Sequence, residues 1–414
     1  MVQSYLEFVL ANRRFVGFGF FVAFASSFGQ TYFIGVFGPE LRAEFALSHT
    51  DWGVIYMVGT LASACVLPWT GKLLDDTDLR TYTGVVGVAL ACACAFIALV
   101  PMGWILVIAI FGLRQTGQGL TSHIAATSMS RYFEAERGRA IAICALGYAA
   151  GEAVLPFLAD LSIDYFGWRW TYGLAALIHL LVFAPFMLWL LVGHGARHAR
   201  YQSRLAQQRD KARGVAVAGW TRKQVMRDPR FLWMLPGLMA PSLVLTAMFF
   251  HHLNIADAKG WAHAWITGSY VLYAVATVVT SLYAGQLIDR ISAVRVVPWV
   301  MMPSVVGLVM LALSANAWIA WPYLILIGVS SGVTYTALAA LWAELYGTAH
   351  LGAIRSLAVA ITVLASGLGP VIVGGLLDLG LSVDTVLYCL AAYSLLGGLL
   401  IKFGLSREPS LPEA

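Results

Sequence analysis

The chain has 414 residues, of which 60% are hydrophobic and 11% are Asp, Glu, Lys or Arg, with a mean hydropathy of +0.77. A soluble domain needs roughly 25% charged residues to keep a hydrated surface, so a water-soluble enzyme, a nucleic-acid binder and a disordered chain are excluded. The formal net charge of +5 is concentrated in residues 193–230, which hold ten Lys or Arg and two Asp.

A helix crossing a bilayer needs about 20 apolar residues. Runs of that length recur twelve times, at about 15–37, 51–70, 81–100, 102–126, 138–160, 171–192, 231–252, 263–284, 294–313, 317–342, 353–377 and 384–403. They predict an all-α polytopic membrane protein with twelve transmembrane helices in two pseudo-symmetric six-helix bundles. The expected division is 1–192 for the first bundle, 193–230 for a basic cytoplasmic linker and 231–414 for the second bundle with a short cytoplasmic tail. With both termini cytoplasmic, 22 of the 26 Lys and Arg fall on the cytoplasmic side; Arg42, Arg169 and Lys259 fall on the other. Arg13 and Arg14 then hold the start of the first span inside. The plasma or inner membrane is the expected location, and the chain is expected to act as a monomer. The five cysteines lie in apolar runs without metal-ligand spacing and read as small apolar residues.

Along the chain, Tyr32, Tyr56, Trp69 and Phe111 are aromatic groups suited to lining a cavity for a flat solute. Ser48-His-Thr-Asp51 reads as a capping box at the start of the second span. Gly71-Lys-Leu-Leu-Asp75 follows that span, and Gly285-Gln-Leu-Ile-Asp289-Arg290 follows the eighth. Each reads as a tight turn at Gly with an Asp available to cap or pair. Arg114 lies mid-span, where a charge costs roughly 2.5–3.5 kcal/mol, so it should face the bundle interior. Two roles remain open for it: an anion-facing or proton-coupling group, or an arginine satisfying carbonyls of a neighbouring helix. Gln118, four residues on, shares its face. Gly147-Tyr-Ala-Ala-Gly151-Glu152 in the fifth span offers small residues for close packing and an acid well inside the membrane. Glu152 is the expected proton carrier. The seventh span holds Met239, Met248, His251 and His252, and the eighth opens at His263. Thioethers and imidazoles suit copper, while interfacial packing explains the same residues. An offset of 214 residues relates Gly71 to Gly285, Asp75 to Asp289, Gly138 to Gly352, Pro156 to Pro370 and Asp164 to Asp378. The chain therefore reads as two copies of one six-span unit, an arrangement used by transporters.

These motifs resemble those of the major facilitator superfamily. The loop after spans two and eight is similar to its signature (Gly, three residues, Asp, a basic residue), with Asp76 standing at the basic position in the first copy. Arg114-Gln-Thr-Gly-Gln118-Gly119 resembles its fourth-span motif. Glu152 replaces the proline of the exporters' fifth-span motif. Arg131-Tyr-Phe-Glu-Ala-Glu136-Arg137-Gly138-Arg139 and Phe166-Gly-Trp168-Arg169-Trp170 resemble the monocarboxylate and related organic-anion branches, as structural segments. The end of span seven and the start of span eight are similar to the CcoA-like copper and riboflavin importers, with Met239 and His263 matching ligand positions and Leu235 and Thr267 standing at the other two.

The resemblance implies a secondary transporter working by alternating access, with the signature loops (Gly71, Asp75, Gly285, Asp289, Arg290) latching one end of the cavity. The expected cargo is a small organic solute, with anions included by Arg114, taken up with protons. Arg114, Gln118, Glu152 and Tyr32 are the expected solute and proton site. Met239, Met248, His251, His252 and His263 are the alternative, a copper site, and a non-transporting sensor or scaffold is the third reading. No ATP-binding loop and no catalytic constellation occur, so neither an enzyme nor a resident cofactor is expected.

Overall fold

The computed structural model describes residues 2–133, 136–211, 220–347 and 350–407. Glu134, Arg213 and the expected tail at 408–414 lie outside the described residues, as do the side chains of Arg204, Arg209 and Lys211. The helical passages are numbered in chain order. They are α1 (Glu7–Gly29), α2 (His49–Asp76), α3 (Leu79–Ala98), α4 (106–132), α5 (Arg137–Phe166) and α6 (Trp168–Leu190). In the second half they are α7 (Pro229–Lys259), α8 (His263–Ile291), α9 (Ala293–Leu313), α10 (Ala317–Tyr346), α11 (Leu351–Asp378) and α12 (Val383–Leu405). Among the described residues, eleven are long and apolar enough to cross a membrane. The remaining one, α4, is helical throughout, but its middle turn is Arg114–Thr121 (RQTGQGLT), which dilutes its apolar character. The protein is an all-α integral membrane protein.

The offset of 214 extends to the element boundaries. His49 and His263 open α2 and α8, Leu79 and Ala293 open α3 and α9, and Arg137 and Leu351 open α5 and α11. The 3-10 turns Gly103–Ile105 and Ala317–Ile319 match, and Tyr132 and Tyr346 close α4 and α10. Even the left-handed caps repeat, at Ala46 (φ 52°) and Gly260 (φ 68°). Because α4 is thereby the counterpart of α10, it is the twelfth membrane passage.

Three expectations about local structure need correction. The first passage is not one helix over 15–37: it starts at Val2, bends at Asn12, and breaks after Ala25. Gly71 and Gly285 do not make turns, since both lie inside helices that continue to Asp76 and Ile291. The residues that follow each glycine continue the helix instead of turning. In the first copy the next helix, α3, then opens at Asp78, whose carboxylate accepts from the Arg80 and Thr81 amides. Lastly, the basic segment is not wholly loop, because Gly195–Lys211 and Arg222–Arg227 are helical. The Ser48–Asp51 capping box is present as expected, with Asp51 N to Ser48 Oγ at 3.0 Å and Ser48 N to Asp51 Oδ2 at 3.1 Å.

Contacts gather the chain into two compact units, residues 1–34 with 62–216 and residues 35–61 with 217–414. In the first unit, Phe15, Phe18, Val22, Val86, Ile124, Met129 and Met187 form a buried core. Gly147 and Gly151 let α5 lie against α1: a Cβ on Gly147 would stand 2.1 Å from the Phe20 carbonyl oxygen. Arg131 pairs with Asp75, and Arg139 with Glu136 at 3.3 Å, so ion pairs tie down the segment between α4 and α5. Arg169 donates to the Ala98 and Val100 carbonyls, both at 2.8 Å, and so satisfies the C-terminus of α3. In the second unit, Thr277 and Ser281 of α8 donate to Gly328 and Gly332 of α10. Glu344 accepts from Ser292 and from the amides of Ala293 and Val294, capping α9. Lys259 bridges Asp384 (2.8 Å) and the Ser314 carbonyl (3.0 Å).

Beyond the membrane end of α6, His194 anchors the helix Gly195–Lys211. Its ring stacks on Phe15 at 5.4 Å and meets Tyr132 edge-on at 4.7 Å. Burial, then the Arg197 charge, lower its pKa to about 4. The folded value lies below the ordinary one near 6.5, so this contribution to stability is complete above about pH 6.5 and is lost as pH falls towards 4. Acidification from pH 7 to 4.5 is expected to raise hydrogen exchange across 195–203, and His194→Phe to remove that rise. An unchanged acid response in the variant would exclude His194 as its origin.

Candidate functional site

The two copies differ most where the first is specialised. In the second copy, α7 runs unbroken from Pro229 to Lys259. In its counterpart, 15–45, Ser26–Gly29 tightens to a 3-10 turn and Gln30 is extended (φ −86°, ψ 154°). Helix then resumes at Thr31–Ile34. Likewise α10 is α-helical where α4 widens to a π-helix at Arg114–Thr121, and α12 is regular where α6 has a π-turn at His179–Phe183. Such insertions in helices recur at functional sites. The chemistry differs too. At the 214 offset, Arg114, Gln118, Glu152 and Tyr32 correspond to Gly328, Gly332, Ser366 and Thr246.

These departures meet at the break in the first passage. Arg114 is 1% exposed, and its Nη1 donates to the Gly29 carbonyl at 3.1 Å, with a longer 3.5 Å contact to Thr31 Oγ1. A broken helix leaves carbonyls without their helical donors, and hydrocarbon cannot supply any. Arg114 therefore holds the break and is held by it. The approach is backbone on backbone: a Cβ on Gly117 would stand 2.7 Å from Gly29 Cα. Next to Arg114, Gln115 accepts from Ser63 Oγ (2.9 Å) and donates to Thr70 Oγ1 (2.8 Å), spanning the Pro68 position of α2. Tyr32 donates to Ser27 Oγ at 2.8 Å. That same Oγ lies 2.0 Å from where a Gly151 Cβ would be, so the segment of α5 carrying Glu152 abuts the break. Glu152 and Gln118 are both partly buried.

The structure thus gathers Arg114, Tyr32, Gln118 and the Gly151–Glu152 position around residues 26–32. Arg114 is a fixed cation at interrupted backbone, and the α5 turn that carries Glu152 adjoins the same break through Gly151. Sequence reasoning missed Gly29, Ser27, Gln115, Ser63 and Thr70. The available signal was the run Ser26-Ser27-Phe-Gly29-Gln30, mostly small or polar inside an apolar stretch. Of the other aromatic candidates, Trp69 is 73% exposed and Tyr56 packs on Phe250 at 4.8 Å within the second unit.

The signature residues sit on helix ends. Asp75 is engaged by Arg131, whereas Asp289 and Arg290 are exposed. The Met and His candidates do not converge on one point. His251 bonds the Pro370 carbonyl (3.0 Å) and Asn254 (2.9 Å), while His252 lies between the hydroxyls of Tyr270 (2.8 Å) and Tyr323 (2.7 Å). His263 pairs with Asp257 at 2.7 Å, Met248 is buried and Met239 partly so. Among the described residues no group of three or more His, Cys, Asp or Glu is placed to hold a metal ion. Near these residues, burial lowers the Arg42 pKa from its usual range, opposed by the carboxylates of Asp257 and Asp378.

The sequence matches the family model for the Major Facilitator Superfamily over residues 19–370 and 254–414. No curated protein sequence matches it. Among solved structures, the chain is similar to the nucleoside transporter NupG, with 12% identity over 96% of this chain and 99% of that one and a TM-score of 0.71. It is also similar to a bacterial homologue of the human lysosomal transporter Spinster in an inward-facing, unoccupied conformation, with 12% identity over 95% and 97% of the two chains and a TM-score of 0.67. At these identities the likeness is one of fold.

Proposed function

This chain belongs to the major facilitator superfamily, and on that premise we propose that it is a proton-coupled importer of a small organic solute, anions included, working by alternating access. The two repeats, 1–192 and 231–403, rock about a central site, with 193–230 as the cytoplasmic linker and both termini in the cytoplasm. The protein works as a monomer in a plasma or inner membrane. Arg114 is the charge partner of the solute, Tyr32 and Gln118 orient it, and Glu152 carries the proton. The observation that supports this reading is the coincidence of the helix break, the π-helix and Arg114 in one copy of the repeat only.

The solute is first sought by thermal shift across monocarboxylates, nucleosides, riboflavin and Cu(I), and each hit is taken into counterflow. The copper and riboflavin alternative is decided by which probes bind and move. If none does, the sensor or scaffold reading gains. The coupling role is tested on the hit in proteoliposomes with an imposed pH gradient. One coupled proton supports roughly tenfold accumulation per pH unit. Glu152→Gln is expected to keep counterflow and to abolish accumulation above equilibrium. A gradient-driven rate equal to wild type would refute the coupling role.

A further inference from the structure

Residues 35–61 share a compact unit with α7 and α11, and a directional chain of hydrogen bonds joins them. An arginine can only donate and a carbonyl can only accept, so the two ends of the chain set the polarity of every link. Arg42 Nη2 donates to Asn254 Oδ1 (2.5 Å). Asn254 Nδ2 donates to His251 Nδ1 (2.9 Å), and His251 Nε2 donates to the Pro370 carbonyl (3.0 Å). The second arm of Arg42, Nη1, donates to His49 Nε2 at 3.2 Å. Asn254 is the central link. Flipping its amide would set N–H against Arg42 and oxygen against the lone pair of His251.

Around this chain α2 and α11 touch through backbone. A Cβ on Gly53 would stand 2.8 Å from the Pro370 oxygen, and one on Gly374 would stand 2.5 Å from the His49 oxygen. Asp378 caps α2 from α11, accepting from the amides of His49 (3.1 Å) and Thr50 (2.7 Å). The hydrogen bonds of this seam are suited to parting, because their donors and acceptors exchange protein partners for water at little net cost. The aromatic packing beside them, Trp52 and Tyr56 on Phe250 at 5.3 and 4.8 Å, is the part that opposes opening. Helix α2 continues from this seam to Ser63 and Thr70, the two residues that Gln115 clamps beside Arg114. Release of the seam would therefore act directly on the helix that braces the solute site.

We propose that Arg42, Asn254 and His251 form a latch that holds residues 35–61 against α7 and α11 in one state of the cycle and opens with the pathway at that end. This rests on the alternating-access reading above. The test is spin-label distance measurement in nanodiscs, with the five native cysteines replaced. One pair, Ala43→Cys with Leu379→Cys, reports the latch. A second pair, Thr81→Cys with Ile291→Cys, reports the opposite ends of the helices. Wild type is expected to show a dominant short distance at the first pair. Asn254→Leu and Arg42→Ala are each expected to raise the long-distance population about tenfold, the equivalent of one hydrogen bond to a charged group. The milder Arg42→Lys keeps one donor and should fall between them, and it guards against misfolding of the other two. Wild-type distances at the first pair in all three variants, while the second pair still shows two populations, would overturn the latch alone. A single population at both pairs in wild type and in all three variants would overturn the transport cycle and the latch with it.

Discussion

Arg114→Leu is expected to lower uptake of the identified solute by about two orders of magnitude, the loss of a buried hydrogen bond to a charged group together with the charge itself. The guanidinium serves the Gly29 carbonyl, so the leucine variant leaves that carbonyl without its donor in an apolar setting. A structural and a functional role can be separated by two further substitutions. Arg114→Lys keeps the charge but loses the planar fork, and should retain part of the uptake. Arg114→Gln keeps an N–H for the carbonyl and removes the charge. If the charge faces the solute, Arg114→Gln folds but transports as poorly as the leucine variant. Full uptake in Arg114→Gln would reduce Arg114 to a carbonyl partner. Monodispersity in detergent and melting temperature, measured on all three, show which losses come from folding.

Gly29→Val is expected to prevent recovery of folded protein. Its Cβ would lie 2.2 Å from the Leu113 carbonyl oxygen, 2.7 Å from the Gln118 nitrogen and 2.8 Å from Gly117 Cα. All three are backbone atoms of α4, Gly117 and Gln118 inside the π-helix and Leu113 just before it. Overpacking costs about 1–3 kcal/mol where side chains can shift. Here only a helix can shift, so the cost exceeds that range and falls on the segment that positions Arg114. The contrasting variant is Gly285→Ala in the second signature copy, whose Cβ would meet nothing within 4 Å. It should fold as wild type. Equal recovery of Gly29→Val and Gly285→Ala would contradict the close approach of α1 and α4.

The sequence by itself determined the membrane class, the passages and the internal repeat, because each depends on properties summed over many residues. Hydrocarbon selects apolar runs of fixed length, and a duplicated unit keeps its register. Arg114 and Glu152 stood out for a similar reason: a charge inside a span is costly enough to be visible one residue at a time. What only the tertiary structure decided was local backbone form and partnership. Whether 15–37 is one helix depends on α4 supplying a guanidinium to the freed Gly29 carbonyl, a contact between residues 85 apart in sequence. The histidines of α7 show the same limit. Their spacing suits a shared ligand, but their ring nitrogens are taken by Pro370, Asn254, Tyr270 and Tyr323, partners that no helical periodicity could reveal. Hydrogen bonds in an apolar medium go to whichever group the packing brings within reach, and packing is a property of several helices at once.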